Sequence, residues 1–386
     1  MSPVRRRRLL LLVAAAALAI LPFVFFELHR IDGVSMWPAF ADSSRILVRR
    51  DDARPERLAP VVLRVGARGG RTVLKRAIAF GGETVFVTDG DVLVNGAPIP
   101  RDLDQVMATA APYLEIGDLA LRTRGTRRIY TGRGSAEALL PIEGRAAVSE
   151  DGRFLNLTGD GGPTVVRIPA EDLRDDHESP RGRWAAGREL VVDPIVTFAL
   201  HESGAGTVLR LEHVVDDEVR ASLVLTPREG GVRVAVASVG GEDRAFELGR
   251  DEASRIRFAL ADDRRFLGVA AGDGAFRVLD EGARTPPRGA RSSWLRLRVE
   301  GGEATFSRLD IARDIHYTSP QTEAVYGVRE PFRVPEGQLF TLGDNSAESE
   351  DSRHWGAVEL GDGLVGRPVA VVWPRARMRF VGLGAR

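Results

Sequence analysis

The chain has no cysteine and only one lysine. The absence of cysteine excludes disulfides, thiolate catalysis and metal sites with cysteine ligands. The six histidines show no metal-binding spacing such as H-E-x-x-H, so the sequence predicts no metal site, and nothing in it indicates a cofactor. The formal net charge is zero, and the sequence therefore does not predict a nucleic-acid partner.

Long apolar runs are also scarce, since only one exceeds the length of a buried strand. Arg5–Arg8 precedes 18 uncharged residues from Leu9 to Phe26. A helix of this length rises about 27 Å, close to the thickness of a bilayer core. We predict a cytoplasmic tail at 1–8 and a transmembrane helix at 9–26, with the rest of the chain outside. A cleaved signal peptide is the alternative, although the apolar run continues where a cleavage region should be small and polar.

The remainder of the chain predicts a mainly β protein. Residues 31–100 read as short strands and turns, and 336–386 as a turn-rich stretch followed by strands. Between about 183 and 316, many short β-prone runs separated by Gly, Asp and Pro predict an antiparallel sandwich. Residues 101–182 are interpreted as a connecting or accessory region, with a possible short helix at Met107–Leu114.

The single lysine, Lys75, lies in the strand-like run Thr72–Phe80. The other 53 of the 54 Lys and Arg residues are arginine. One lysine could survive such a bias by chance. A position that needs a removable proton would also resist replacement, because arginine stays protonated in proteins. Small apolar neighbours on the same strand face, Ala77 and Ala79, would solvate an ammonium poorly and lower its pKa.

Two further stretches concentrate unusual side chains. Ser35 lies in Asp32–Pro38, where a glycine and a proline constrain the backbone and can hold the hydroxyl exposed. Gly343–Gly356 contains several Asp, Glu, Ser and Arg residues. Alone, Ser35 could be an ordinary turn serine, and the second stretch could be a solvated acidic loop or a cation-binding loop.

Taken together and in order, these stretches resemble bacterial type I signal peptidase, a membrane-anchored serine protease with a Ser–Lys dyad. The nucleophile motif Gly-x-Ser-Met-x-Pro is matched by Gly33–Pro38. Lys75-Arg76 followed by Gly81–Glu83 matches the lysine motif, and Gly343–Asn345 with Ser349–Gly356 matches the last one. The resemblance covers roughly 1–100 and 336–386.

The resemblance implies that Ser35 is the nucleophile and that a neutral Lys75 is its general base. It also implies that Ser349 hydrogen-bonds and orients the lysine, and that Asp351 and Arg353 form a supporting ion pair. The oxyanion would be held by the Ser35 backbone N–H. The expected reaction is the removal of signal peptides from exported preproteins, after small residues of the Ala-x-Ala type.

Several positions depart from the family pattern or have two interpretations. Gly33 stands where some members carry a hydroxyl as a second oxyanion donor, and Gly82-Glu83 replaces a Gly-Asp pair. Four apolar residues near the motifs would suit a substrate groove or a membrane rim, although core packing is an equal alternative: Met36, Trp37, Phe40 and Phe80.

The predicted organisation is therefore a catalytic core from 31–100 and 336–386 with an inserted domain at 183–316. The insert's strand rhythm loosely resembles concanavalin-like or laminin-G-like sandwiches. It could bind a peptide or a glycan, or serve as a spacer. The expected location is the bacterial cytoplasmic membrane, with one span, a cytoplasmic N-terminus and the lipid bilayer as a partner.

Two other functions remain open from the sequence. One is a self-cleaving Ser–Lys protease of the repressor class, against which the anchor and the Gly-Asp-Asn motif argue. The other is a membrane-tethered binding protein with an inert protease core and a ligand-binding insert, which Gly33 and the long insert motivate.

Overall fold

The computed structural model describes residues 25–50, 54–66, 70–117, 139–149, 153–159, 161–168, 172–175, 177–178, 184–185, 187–203, 206–249, 251–318 and 325–381. The mainly β prediction is confirmed, with antiparallel sheets and few helices. The predicted tail at 1–8 and nearly all of the span at 9–26 lie outside these residues, and Phe26 begins a strand. No helix of the described part is long and apolar enough to cross a membrane.

The strands and helices follow one another closely, as expected for a chain rich in short β-prone runs. The strands are β1 (Phe26–Arg30), β2 (Arg45–Arg50), β3 (Pro60–Val65), β4 (Arg71–Phe80), β5 (Thr84–Thr88), β6 (Asp91–Val94), β7 (Ala97–Pro98), β8 (Ala111–Gly117), β9 (Leu140–Glu143), β10 (Arg145–Val148), β11 (Leu155–Thr158), β12 (Thr164–Ile168), β13 (His177–Glu178), β14 (Trp184–Ala185), β15 (Pro194–Ser203), β16 (Val208–Val215), β17 (Glu218–Arg228), β18 (Gly231–Ser238), β19 (Arg244–Gly249), β20 (Arg255–Ala261), β21 (Arg264–Ala270), β22 (Arg277–Ala283), β23 (Ser293–Glu300), β24 (Ala304–Arg313), β25 (Phe332–Arg333), β26 (Gln338–Leu342), β27 (Val358–Glu359), β28 (Leu364–Trp373) and β29 (Arg379–Phe380). The α-helices are α1 (Leu103–Thr109) and α2 (Ser352–Trp355), and short 3-10 turns occupy Ser346–Glu348 and Arg375–Arg377.

The chain forms two compact units. The first comprises Met1–Phe86, Val94–Gly96 and Pro320–Arg386. Its main sheet has the order β1-β2-β28-β3-β4-β26-β27, with β29 paired to β28, and β5 pairs with β25. Strand β4 therefore has a neighbour from each end of the chain, β3 on one side and β26 on the other. This topology brings early and late motifs together in one sheet.

The second unit comprises Val87–Leu93 and Ala97–Ser319 and is a β-sandwich. One sheet has the order β10-β11-β24-β15-β20-β21-β22, with β8 on β24, and the other has the order β19-β18-β17-β16-β23-β12-β9. Buried residues of both sheets form one core, for example Phe258 and Leu309 against Leu211 and Val236. The alternation of apolar and polar residues along these strands places one face in that core.

The prediction for residues 101–182 differs from the structure. We interpreted them as a region separate from the sandwich, yet strands β8 to β12 pair into its two sheets. The helix predicted at Met107–Leu114 begins earlier, at Leu103, because Asp102 and Gln105 form a reciprocal capping box. It ends at Thr109, shortly before Pro112, which could not continue a helix.

Candidate active site

Ser35 lies in the turn between β1 and β2, and neighbouring backbone contacts fix its position. Gly33, two residues earlier, adopts a φ of 97°, which glycine tolerates better than other residues. Its N–H donates to Asp42 Oδ1 over 2.7 Å. The Ser35 carbonyl accepts a 3.0 Å bond from the N–H of Asn345. The turn is thus tied to the Gly-Asp-Asn motif from the far end of the sequence.

Lys75 lies in the middle of β4, opposite Val61 of β3, and is 3 % exposed. Its Nζ is 2.8 Å from Ser35 Oγ, a hydrogen-bonding distance. Burial lowers the pKa of Lys75 from 10.5 to about 8. Burial is the largest contribution to this value of the pKa; the positive charges of Arg71 and Arg353 also lower the pKa, whereas Asp351 and Asp344 raise it. The structure therefore brings the predicted nucleophile and base together, and the amine loses its proton far more readily than that of an exposed lysine.

Asp351 and Arg353 form a fully buried, bidentate ion pair within the last motif. Arg353 Nε donates to Asp351 Oδ1 and its Nη2 to Oδ2, both over 2.9 Å. Burial alone would raise the pKa of Asp351, but Arg353 and a backbone bond from Gly343 hold that pKa below its usual value. Arg353 also donates to Ser346 and to the carbonyl of Ser349. The guanidinium thereby shapes the whole turn.

The structure does not show the hydrogen bond expected between Ser349 and Lys75. Ser349 is buried, and its hydroxyl has no hydrogen-bond partner among the described residues. The hydroxyl lies beside Gly343, where a Cβ would collide with it and with the Ser35 carbonyl oxygen. Ser349 therefore lies beside Gly343 in the last motif, where its hydroxyl occupies the space left by the glycine and forms no hydrogen bond to the lysine.

Arg76 and Asp344 form a second buried ion pair, which the sequence motifs alone do not predict. Arg76 donates to both carboxylate oxygens of Asp344 over 2.7 and 2.6 Å, and to the Leu58 carbonyl over 2.5 Å. This pair joins β4 to the residue that follows Gly343. The available signal was an arginine within an apolar strand, because a buried arginine requires a partner.

The four residues predicted for a groove or membrane rim are buried, which corrects the rim assignment. Met36 and Phe40 belong to a core cluster with Ile46, and Phe80 belongs to a second cluster. Trp37 is also buried. Strands β2, β3 and β28 supply the apolar surface that covers Met36 and Phe40, so core packing is the correct interpretation.

A different apolar surface of the first unit is exposed. The register β1-β2-β28-β29 aligns Leu28, Leu47, Ala370 and Phe380 in one row across four strands. Leu28 and Phe380 are 58 % and 74 % exposed, and Trp373 and Met378 near the row's end are exposed by more than half. We call the four exposed residues the apolar face: Leu28, Trp373, Met378 and Phe380. Exposed arginines lie on the same strands, namely Arg30 on β1 and Arg45 and Arg49 on β2, and the exposed Arg375 follows β28.

Comparison with known proteins agrees with this geometry. The family described as signal peptidase, peptidase S26, matches residues 5–158 and 296–373. The chain belongs to the signal peptidase family S26. This is a family of serine peptidases that act on signal peptides. Its matched residues include Ser35, Lys75 and the Gly343–Gly356 stretch.

Among the described residues, no group of three or more His, Asp or Glu side chains could hold a metal ion.

Individual relatives match over short stretches. Two Arabidopsis thaliana proteins, the probable thylakoidal processing peptidase 2 and the thylakoidal processing peptidase 1, are each 43 % identical over 49 residues. These residues are 13 % of this chain and 13 % and 14 % of the two peptidases, so the chain matches only about an eighth of their length.

Solved structures are similar at a low level. An alginate lyase from Klebsiella pneumoniae has a TM-score of 0.29 and 11 % identity, covering 44 % of this chain and 84 % of the lyase. A carbohydrate-binding module from Bacillus subtilis has a TM-score of 0.28 and 11 % identity, covering 45 % and 95 % of the two chains. Similarities this low assign neither a ligand nor a fold relationship.

Proposed function

We propose that this protein is a membrane-anchored serine endopeptidase that removes signal peptides from exported preproteins. The observation that carries the proposal is the 2.8 Å contact between Ser35 Oγ and the buried Lys75 Nζ. A hydroxyl is a weak nucleophile and needs a base beside it. With a pKa lowered to about 8, Lys75 supplies a neutral amine at a pH where an ordinary lysine is almost entirely charged.

The reaction then proceeds through two acyl transfers. Ser35 Oγ bonds to the scissile carbonyl carbon while its proton moves to the Lys75 amine. When the C–N bond breaks, the protonated lysine returns this proton to the leaving amine. Water then attacks the acyl ester carbon while the same amine takes its proton; the C–Oγ bond breaks, the lysine returns the proton to Ser35 Oγ, and the new carboxyl end of the product is released. The Ser35 N–H would stabilise the oxyanion, and because Gly33 has no side chain, a second donor there must come from backbone or water.

The two buried ion pairs support this chemistry by positioning. Arg76–Asp344 ties the last motif to the strand that carries Lys75, and Asp351–Arg353 braces the motif from within. Asp351 also counteracts the lowering of the lysine pKa. Burial lowers the lysine pKa while Asp351 and Asp344 raise it, so the amine can both lose and regain a proton at mildly alkaline pH.

We further propose that the apolar face rests on the outer surface of the cytoplasmic membrane. It combines aromatic and aliphatic side chains with arginines, the composition that favours an interface with anionic lipid. Strand β1 carries Leu28 and follows directly on the apolar N-terminal segment proposed as the anchor, with its N-terminus cytoplasmic. The peptide or glycan ligand of the second unit remains a prediction.

The test uses full-length protein in detergent with a preprotein that carries an Ala-x-Ala site. Wild type should cut after the last of the three residues, and Ser35→Ala should not. Ser43→Ala, an exposed serine of the same turn, is the matched control and should retain cleavage. Cleavage by Ser35→Ala at the wild-type rate would contradict the proposal. If wild type cuts no such preprotein, the inert binding-protein alternative gains support.

A further inference from the structure

An exposed ion pair joins the lysine strand to the last motif at a point not used in the mechanism. Arg71 is the first residue of β4 and pairs with Glu350, which stands between Ser349 and Asp351. Both side chains are more than half exposed. The Arg71 guanidinium also lies over the Trp355 ring, 5.5 Å from its centroid. Arg71 is thus held by two groups of one segment.

The position of Arg71 relates it directly to the proposed base. Side chains of a strand alternate between faces, so Arg71, Val73 and Lys75 share one face of β4. Val73 and Trp355 pack against the same core cluster on that face. The arginine therefore stands four residues along the strand from the lysine, on its side of the sheet.

We propose that Arg71 and Glu350 form an ionic clasp that positions the Ser349–Asp351 segment against the lysine strand and tunes the proposed dyad. This inference rests on the proposed function. Three other described hydrogen bonds fix the surrounding motif. Asp344 binds Arg76, Asp351 accepts the Gly343 N–H over 3.0 Å, and Ser352 Oγ accepts the Thr341 N–H over 2.9 Å. Arg353 braces the turn from within. The clasp connects the middle of the segment to β4.

The clasp should affect chemistry more than stability. Exposed ion pairs add little to the free energy of unfolding, because solvent screens them. Four charged groups act on Lys75, namely Arg71, Arg353, Asp344 and Asp351, and Arg71 is the exposed one. Its positive charge disfavours the protonated lysine. Removing that charge should raise the lysine pKa and reduce the neutral fraction at pH 7.

The single lysine makes the electrostatic part directly measurable. Full-length protein carrying ¹³C-labelled lysine gives one side-chain signal, and its titration reports Lys75 alone. Arg71→Gln should move the titration midpoint upward by about 0.3 pH units, the size expected for one charge about 10 Å away across a solvated surface. The shift should shrink in 0.5 M salt, where the Debye length falls to about 4 Å. The same change at Arg233, which pairs with Glu247 at 3.5 Å in the second unit, should leave the midpoint unchanged.

Preprotein cleavage tests the positioning part. Arg71→Gln and Glu350→Gln should each reduce kcat/KM about 3- to 10-fold at pH 7. The charge-swapped double variant Arg71→Glu with Glu350→Arg should recover most of kcat/KM at pH 9, where the lysine is neutral, while its midpoint stays above that of wild type. If both single variants keep the wild-type midpoint and remain within twofold of wild type, the inference is overturned. Absence of cleavage by wild type would instead refute the proposed function, and the NMR titration would still decide whether Arg71 acts on Lys75.

Discussion

The pH dependence of cleavage follows quantitatively from the environment of Lys75. With a pKa of about 8, about 9 % of this lysine is neutral at pH 7 and half at pH 8. An exposed lysine would be about 0.03 % neutral at pH 7, so burial increases the reactive fraction about 300-fold. If the neutral amine is the base, kcat/KM should rise about tenfold from pH 6 to 7, about fivefold from 7 to 8, and less than twofold from 8 to 9.

Initial rates of cleavage of one fluorescent preprotein, at subsaturating concentration and constant ionic strength, measure this profile. The lysine titration by NMR on the same protein should give the same midpoint, which separates the base from other ionising groups. A profile that is flat between pH 6 and 9, or a midpoint above pH 10, would refute the role of a desolvated lysine. Agreement of the two midpoints would support it.

Three substitutions test other parts of the site and the fold. Lys75→Arg should lower kcat/KM by at least about 10⁴-fold at pH 8, because arginine does not release its proton. A kcat/KM within tenfold of wild type in the same assay would contradict the role of Lys75 as the base. Gly343→Ala should lower the free energy of unfolding of the first unit by about 1–3 kcal/mol in urea and reduce cleavage, because the added Cβ would overlap the Ser349 hydroxyl. Gly361→Ala is the control: its Cβ would meet open space, so the free energy of unfolding should hardly change. Asp91 of the second unit faces Asp262, and burial and this neighbour raise the Asp91 pKa to about 8. Because the folded protein binds this proton more tightly than the unfolded chain, the proton's contribution to the free energy of unfolding is complete below about pH 4 and is lost as the pH rises towards 8. Asp91→Asn should therefore raise Tm more at pH 8 than at pH 5. An equal change in Tm at both pH values would exclude this linkage.

Local chemistry made part of the site predictable. Ser35 and Lys75 lie in short motifs whose residue types suit the proposed reaction, and the apolar run around Lys75 predicts both its strand and its burial. The pairing of Arg76 with Asp344 was not predictable in the same way. The two residues are 268 positions apart, and a strand pattern carries no information about a partner at that distance.

The incorrect expectations have a common physical origin. Whether Met36 and Phe40 face a groove or a core depends on which strands cover them, and β28, the covering strand, lies more than 300 residues away in sequence. The Ser349 hydroxyl direction depends on the free space beside Gly343. The exposed row of Leu28 and Phe380 arises from the register of four strands, which neither segment reveals alone.

The separation between the two halves of the site also sets an order during synthesis. Ser35 and Lys75 leave the ribosome early, whereas Asp344 follows Arg76 by 268 residues. At about 5–20 residues per second, this interval is roughly 13 to 54 s. Throughout it, the nascent chain carries the proposed nucleophile and base without either buried ion pair that orders the last motif. The inserted sandwich therefore separates the synthesis of Arg76 from that of Asp344, so the proposed site is completed only after the sandwich has been translated.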